Sequence, residues 1–313
     1  MPYSIDFINT PWWKRVGLFL MQLIFFTALT AVLTIGIYLV LELIPLFSKQ
    51  SSCLAGSETL SQKLFHDWLS VLLASFIAIF LLDYWQQKKG IAAYGFSIEN
   101  IGKSILTGLV VASSILFISF FILLGGGWAH IVDYSLQWGV FLAWGLFFII
   151  QPLAEEIIMR SFLQTQLHRH FGTHIGLFMT ALTFTLLHSG NDNITLLARI
   201  QIFAGGYLMG LLYLQTKNIW ASFAMHASWN FLQSTVLGFA VSGIQTYSVF
   251  RTETNGADWL TGGDFGLEGS LLTLVLILFA IAYFWKATKN ATPFGEEKIA
   301  NGDIAINQNH PIP

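Results

Sequence analysis

Charged residues are scarce in this chain. Asp, Glu, Lys and Arg make up 10% of its 313 residues, whereas soluble globular domains carry about 25%. Hydrophobic residues reach 55%, and the mean hydropathy is +0.64. This composition excludes an ordinary soluble domain and indicates an integral membrane protein.

Cysteine and net positive charge are scarce as well. Cys53 is the single cysteine, so the chain can form neither an internal disulfide nor a Cys-x-x-Cys metal or redox site. The formal net charge is -2, which gives no basic field of the kind that attracts nucleic acid. We therefore expect a lipid bilayer, and no nucleic acid, among the partners of the chain.

Long apolar runs are what the sequence has in quantity. A helix needs about 20 apolar residues to cross the hydrocarbon core of a bilayer. The sequence therefore predicts an all-α, polytopic membrane protein with about eight transmembrane helices that enclose a polar intramembrane cavity. The predicted spans are 17–46, 67–85, 104–125, 136–168, 174–188, 196–214, 219–238 and 269–285.

The predicted spans form one membrane domain, residues 1–289, with its core at about 136–238. The polar tail at 290–313 is expected to be disordered and cytoplasmic. Eleven of the 15 Lys and Arg fall on one side of the predicted membrane. Because cytoplasmic loops keep the positive charges, both termini are expected in the cytoplasm and the 239–268 loop on the outer face. Spans without a targeting segment fit a bacterial inner membrane.

Three polar clusters interrupt the apolar runs, and helix lengths place all three at one depth from the cytoplasmic side. Ionisable side chains at membrane depth are costly, so each cluster is a candidate functional site. The clusters are Glu155-Glu156 with Arg160, His188 with Phe184 one turn before it on the cavity wall, and His226 with Asn230 one turn after it.

Glu155 is the candidate general base. Glu156 and Arg160 are four residues apart on one helix face, which predicts an ion pair, whereas Glu155 points about 100° away from that face. A carboxylate in apolar surroundings without a neighbouring cation holds its proton more tightly, which suits a group that takes a proton from water and returns it to a leaving amine. Glu156 and Arg160 are then a structural or substrate-positioning pair.

His188 and His226 complete the candidate site. Asn230 lies on the same helix face as His226, where it could orient the imidazole or donate to a developing oxyanion. The two imidazoles with a carboxylate from Glu155 or Glu156 also make a Zn2+ set with an open position for water. No His-Glu-x-x-His motif occurs, which removes the usual helix-borne zinc signature. The residue types fit both a zinc site and water activation without a metal.

The order of the three clusters resembles the CAAX prenyl endopeptidase and bacteriocin-processing family of intramembrane proteases, called CPBP or Abi. The resemblance covers roughly 150–232 and implies about eight helices around a cavity open to the cytosol and the bilayer. It also implies an endopeptidase, possible zinc dependence and a membrane-embedded peptide or lipidated protein as substrate. In that family Glu155 would activate water, and His188, His226 and Asn230 would complete the site. Ser161 stands where the family often has glycine.

A second interpretation belongs to another class of function. A non-catalytic membrane scaffold or a small-solute transporter could use the same polar cavity for binding. This interpretation predicts that substitution of Glu155 or His188 changes the mass of no peptide.

Overall fold

The structure, a computed structural model, describes residues 10–43, 62–86 and 90–288. The tail at 290–313, for which we predict disorder, lies outside these residues. The described part of the chain is mainly helical. Its α-helices are α1 (Trp12–Glu42), α2 (Gln62–Gln86), α3 (Ile101–Gly125), α4 (Trp138–Glu156), α5 (Thr165–Phe171), α6 (Thr173–Leu187), α7 (Leu196–Thr216), α8 (Trp220–Asn230), α9 (Asp258–Thr261) and α10 (Leu271–Thr288).

Five described helical stretches are long and apolar enough to cross a membrane. Two further apolar helices, α6 and most of α10, are shorter. Length and composition alone define these stretches, so the predicted count of eight spans stays a prediction. The five stretches are Trp12–Glu42, Lys63–Trp85, Ile101–Gly125, Trp138–Phe171 and Leu196–Thr216.

The mainly helical fold agrees with the predicted all-α class, and the described chain also contains a small antiparallel sheet that was not predicted. Strand β1 (Ala129–Tyr134) pairs with β2 (Phe250–Thr254), with a register irregularity between Ile131 and Asp133. The two strands lie more than a hundred residues apart in sequence. Each is too short for its pattern to be distinguished from a loop, which is why the sequence did not predict the sheet.

The helix of the fourth predicted span continues through Pro152. The π-helical segment Ile157–Gln164 then joins α4 to α5. A second π-helical segment, Phe231–Val236, extends α8. Such segments are rare in proteins, and those that occur are often at functional sites. These two directly follow Glu156 and Asn230.

Glycines of α7 allow the π-helical segment after α4 to approach the α7 backbone. The carbonyl of Gly206 accepts a hydrogen bond from Arg160 Nη2 at 3.3 Å, and the carbonyl of Gly210 accepts one from Gln164 Nε2 at 3.0 Å. A Cβ at Gly210 would lie 3.0 Å from the side-chain oxygen of Gln164. The small residues of α7 therefore serve packing inside the bundle and give buried polar side chains their acceptors.

A glycine of α3 fixes the position of α8 in the same way. A Cβ at Gly108 would collide with the carbonyl oxygen of Ala221 and would lie 2.6 Å from the backbone nitrogen of Met225. Helix α3 therefore packs directly on the backbone of α8. Since α8 carries His226 and Asn230, this contact sets where two of the candidate site residues lie.

Three short 3-10 turns complete the described chain. Ile91–Tyr94 precedes α3, and Gly263–Phe265 and Leu267–Gly269 precede α10. The last two lie at the end of the 239–268 segment that is predicted as an outer loop. They bring that segment back onto the helical bundle, where Phe265 and Leu267 are buried in the main core.

Candidate active site

A cavity of about 500 Å³ lies among α2, α4, α6, α7 and α8, and residues from the segment between α8 and α10 also line it. Most of its lining is apolar, including Phe184. The four predicted catalytic residues line it together with polar residues that the sequence analysis did not single out. The polar lining includes Gln151, Glu155, His188, His226, Asn230 and Glu268.

Glu155 faces both predicted histidines across a short gap. Its Oε2 atom lies 3.9 Å from His188 Nε2 and 3.8 Å from His226 Nε2. The side-chain amide of Gln151 donates a hydrogen bond to the other carboxylate oxygen, Oε1. Buried Oε2 has no hydrogen-bond partner within the described residues. The structure thus leaves one oxygen of Glu155 directed at two imidazole nitrogens.

Backbone and carboxylate acceptors orient the two imidazoles. His188 Nδ1 lies 2.8 Å from the carbonyl oxygen of Phe184, and His226 Nδ1 lies 3.0 Å from Glu156 Oε1. Because both oxygens only accept hydrogen bonds, Nδ1 carries the proton in each neutral ring, and Nε2 carries the lone pair. The lone pairs of the two Nε2 atoms therefore face Glu155 Oε2.

Three hydrogen-bond acceptors facing one another require donors between them. The gaps of 3.8 and 3.9 Å exceed a direct hydrogen bond and suit a bridging water molecule. Water has two hydrogens to donate, one to Glu155 Oε2 and one to an imidazole. The arrangement can therefore hold a water molecule with its oxygen beside a carboxylate base.

The same three side chains were predicted as zinc ligands. Ligand atoms at zinc-bond length in a tetrahedral site lie about 3.4 Å from one another, which is shorter than the 3.8 and 3.9 Å that separate Glu155 Oε2 from the two nitrogens. Within the ranges that the structure describes, no group of three His, Cys, Asp or Glu side chains is placed to hold a metal ion. As arranged, the three atoms are spaced more widely than the ligands of a regular tetrahedral zinc site, and the gaps suit a bridging water molecule.

The ion pair that the helix spacing predicts forms behind the site. Arg160 Nε lies 3.2 Å from Glu156 Oε2, and both side chains are fully buried. The guanidinium carbon of Arg160 also lies 5.4 Å from the ring centroid of Phe184. Arg160 thus neutralises the buried carboxylate of Glu156. The other oxygen of Glu156 lies within hydrogen-bond distance of His226, so the same carboxylate also orients this imidazole.

Phe184 packs against both histidines. Its ring centroid lies 4.3 Å from that of His188 and 5.7 Å from that of His226. Helix α6 ends at Leu187, so His188 follows the last helical turn and keeps its contact with Phe184. The aromatic ring therefore limits the rotation of both imidazoles.

Among the described residues, Asn230 makes no hydrogen bond to the ring of His226, although orienting that ring is one of the two roles that the sequence leaves open. Its amide nitrogen donates to Gln151 Oε1 at 3.3 Å, and Gln151 in turn donates to Glu155. A chain of amides thus joins Asn230 to the carboxylate. Sequence reasoning missed Gln151, although a glutamine one turn before Glu155 in an apolar helix was a signal that could have revealed it.

Glu268 is the second polar residue that sequence reasoning missed. The backbone N–H of Ser242 donates to its Oε2 atom at 2.6 Å, and the Ser242 hydroxyl donates to the same atom at 3.1 Å. Burial raises the pKa of the Glu268 carboxyl, although the Ser242 bonds and the imidazoles of His188 and His226 oppose the shift. The segment predicted as an outer loop thus contributes a carboxyl group to the cavity.

The site lies in a part of the chain with known relatives. Residues 137–232 match the sequence model of a family described as Rce1-like, type II CAAX prenyl endopeptidase. The matched range contains Gln151 and all predicted site residues, whereas Ser242 and Glu268 lie beyond it. No curated protein matches the chain. The resemblance stated from the sequence is thus confirmed for this segment: the chain is an integral membrane protein whose residues 137–232 match the model of the Rce1-like family of type II CAAX prenyl endopeptidases.

Proposed function

We propose that the protein is an intramembrane endopeptidase that hydrolyses a peptide bond of a membrane-associated or lipid-linked peptide. The observation that carries the proposal is the placement of Glu155 Oε2 within 4 Å of His188 Nε2 and His226 Nε2, at the wall of a cavity. The family match over residues 137–232 supports the class of reaction.

Glu155 acts as the base in the proposed reaction. It takes one proton from the water held beside the imidazoles, and the water oxygen attacks the carbonyl carbon of the peptide bond. The tetrahedral intermediate then collapses, the C–N bond breaks, and Glu155 returns the proton to the leaving amine. Gln151 holds Oε1, so Oε2 is the oxygen that carries the proton. No step passes through a metal ion.

Asn230 is the proposed donor to the oxyanion. Each neutral imidazole has its proton on Nδ1, so neither Nε2 atom can donate to the developing charge. A primary amide has two hydrogens, and Asn230 uses one toward Gln151. The other can be donated to the carbonyl oxygen as it becomes negative.

The membrane setting of the proposal follows the charge distribution in the sequence. We propose eight spans, with both termini in the cytoplasm and the segment between α8 and α10 on the outer face, and a bacterial inner membrane as the location. Reporter fusions at Thr10 and Thr288 test the orientation. A reporter that is active only outside the cytoplasm should be inactive at both positions.

Cleavage of membrane peptides by purified protein tests the proposed function. The protein, reconstituted in lipid vesicles with a membrane peptide extract, should produce new peptide termini that mass spectrometry detects. Glu155→Gln keeps the side-chain shape and removes the base, so it should produce none. Glu253→Gln is the matched control, because that side chain is 59% exposed on β2 in a surface ion pair, and it should cleave like the wild type.

The alternative functions give a different result in the same experiment. A scaffold or a transporter would leave every peptide mass unchanged in all three proteins. Full cleavage by the Glu155→Gln protein would show a protease whose base lies elsewhere and would overturn the assignment of Glu155.

A further inference from the structure

Glu268 lies outside the segment that matches the family and shares a cavity with Glu155. It belongs to the 3-10 turn Leu267–Gly269, directly before α10. The elements that carry the candidate catalytic groups end at Asn230, so a separate part of the chain supplies this carboxyl. Its role is not accounted for by the proposed hydrolysis.

Specific contacts hold the turn that carries Glu268 against the cavity. The side-chain amide of Gln201 in α7 donates to the carbonyl of Leu267 at 3.1 Å. The preceding residue, Gly266, has a φ of +90°, and a Cβ there would collide with the carbonyl of Ala240. The backbone therefore requires glycine at this position. These contacts fix the direction in which the carboxyl of Glu268 enters the cavity.

One oxygen of Glu268 is left for a ligand. Both hydrogen bonds from Ser242 go to Oε2. Oε1 has no hydrogen-bond or ion-pair partner among the residues that the structure describes, and the residue is partly exposed to the cavity. Glu155 differs in this respect, because Gln151 occupies its Oε1 and its Oε2 faces the imidazoles.

No lysine or arginine among the described residues lines the cavity, and Arg160 behind the wall is paired with Glu156. The basic side chains that act on Glu268 are the imidazoles of His188 and His226. A carboxylate removed from water without a cation is costly, and burial accordingly raises the pKa of Glu268. A cationic ligand would remove this cost and form a charge-assisted hydrogen bond.

We propose that Glu268 binds a cationic nitrogen of the peptide that enters the cavity, either its N-terminal ammonium or a lysine or arginine side chain. The proposal rests on the proposed function, since it names the substrate class of the same cavity. Glu268 is then a specificity residue: it selects peptides with a positive charge near the scissile bond, while the mainly apolar wall accommodates the rest of the peptide.

Binding measured on cleavage-inactive protein tests the proposal without depending on hydrolysis. The probes are three fluorescent peptide amides of alanine and leucine: one with a free N-terminus, one N-acetylated, and one N-acetylated with a single lysine. Their dissociation constants are measured by fluorescence anisotropy with the Glu155→Gln protein in nanodiscs. A cationic probe should bind about tenfold tighter than the neutral one, and the probe that does so identifies the source of the charge.

Glu268→Gln, added to Glu155→Gln, is the decisive variant. Glutamine still offers an oxygen to the two Ser242 donors but carries no charge, so all three probes should bind with equal affinity. Glu253→Gln, the exposed control on β2, should keep the preference. A merely structural role for Glu268 would not make the affinity depend on peptide charge.

The proposal is overturned if the cationic probes bind no tighter than the neutral one, or if they keep their advantage in the Glu268→Gln protein. Should that variant fail to fold, Glu268→Asp provides the second comparison, because it keeps the charge and retracts it by one methylene. Its preference should be smaller than that of glutamate, and an undiminished preference would contradict the assignment. A protein that binds cationic peptides without cleaving any would retain this inference and lose the proposed function.

Discussion

Glu156 Oε1 lies 3.0 Å from His226 Nδ1, and this contact joins α4 to α8 at the centre of the site. The same carboxylate pairs with Arg160 through its other oxygen at 3.2 Å. Glu156 therefore sets the tautomer of His226 and directs its Nε2 lone pair at Glu155. Glu156 thus supports Glu155 by orienting the imidazole of His226 beside it.

Removal of the Glu156 charge should destabilise the fold. Glu156→Gln leaves the fully buried Arg160 without a counter-charge, and such a loss costs about 3–5 kcal/mol. Unfolding in mixed detergent micelles measures the change in free energy. Replacing Arg160 with methionine as well removes the unpaired charge and should recover part of the loss. An equal or greater loss in the double variant would contradict this account.

The exposed pair on β2 is the matched control for that experiment. Arg251 and Glu253 lie 3.2 Å apart, with side chains 71% and 59% exposed. Solvent and salt screen such a pair, so Glu253→Gln should change stability by less than about 1 kcal/mol.

Helix α3 packs so closely on α8 that one added methyl group at Gly108 should destabilise the protein. Gly108→Ala places a Cβ against the backbone of Ala221 and Met225, which should cost about 1–3 kcal/mol or more and displace the helix that carries His226. Gly102→Ala, in the same helix with nothing within 4 Å of its Cβ, should be neutral or stabilising by up to about 1 kcal/mol. Thermal unfolding and cleavage are measured on both, and similar behaviour of the two variants would refute the packing argument.

Cleavage should survive removal of divalent metal ions. The distances from Glu155 to the two imidazoles suit a bridging water molecule and are wider than the ligand spacing of a regular tetrahedral zinc site. We therefore expect 1,10-phenanthroline to leave the rate within about twofold of the untreated protein. Metal analysis of the purified protein is the second readout. Loss of activity that stoichiometric zinc restores would show that His188, His226 and Glu155 close around a metal ion.

Stability should depend on pH through Glu268. Its pKa is raised in the folded chain by burial, so the folded state holds the proton more tightly than the unfolded state, where a glutamate has a pKa of about 4.3. Wild-type stability should therefore fall as pH rises from that value through the folded pKa. Glu268→Gln cannot ionise, so its melting temperature relative to wild type should rise over the same window. His188 and His226, which face Glu268 across the cavity, remain in both proteins, and a difference that is constant between about pH 4 and about pH 8 would contradict the shift.

The sequence predicted the relationships that act along one helix and missed those that act between distant segments. Helical periodicity predicts the pairing of Glu156 with Arg160 and the separate direction of Glu155, because residues four apart share a face. Which residue orients His226 depends on how α4 and α8 pack, and spacing within α8 suggested Asn230 where the structure has Glu156.

Long-range placement also explains the remaining differences. The β1–β2 pairing and the position of Glu268 in the cavity both depend on where the segment after α8 folds back onto the helices. Local sequence patterns do not predict this placement. The π-helical segment after Glu156 was likewise not predicted. The eight residues Ile157–Gln164 are too few for their apolar pattern to distinguish a π-helical repeat from an α-helical one.

The most direct test of the central claim compares membrane peptides from cells that express the wild-type protein or the Glu155→Gln variant at equal levels. Mass spectrometry of peptide termini should find cleavage products in the wild-type membranes, and the same peptides should be uncut with the variant. Identical termini in both membranes, with both proteins folded and present, would contradict the claim that Glu155 activates water for peptide hydrolysis.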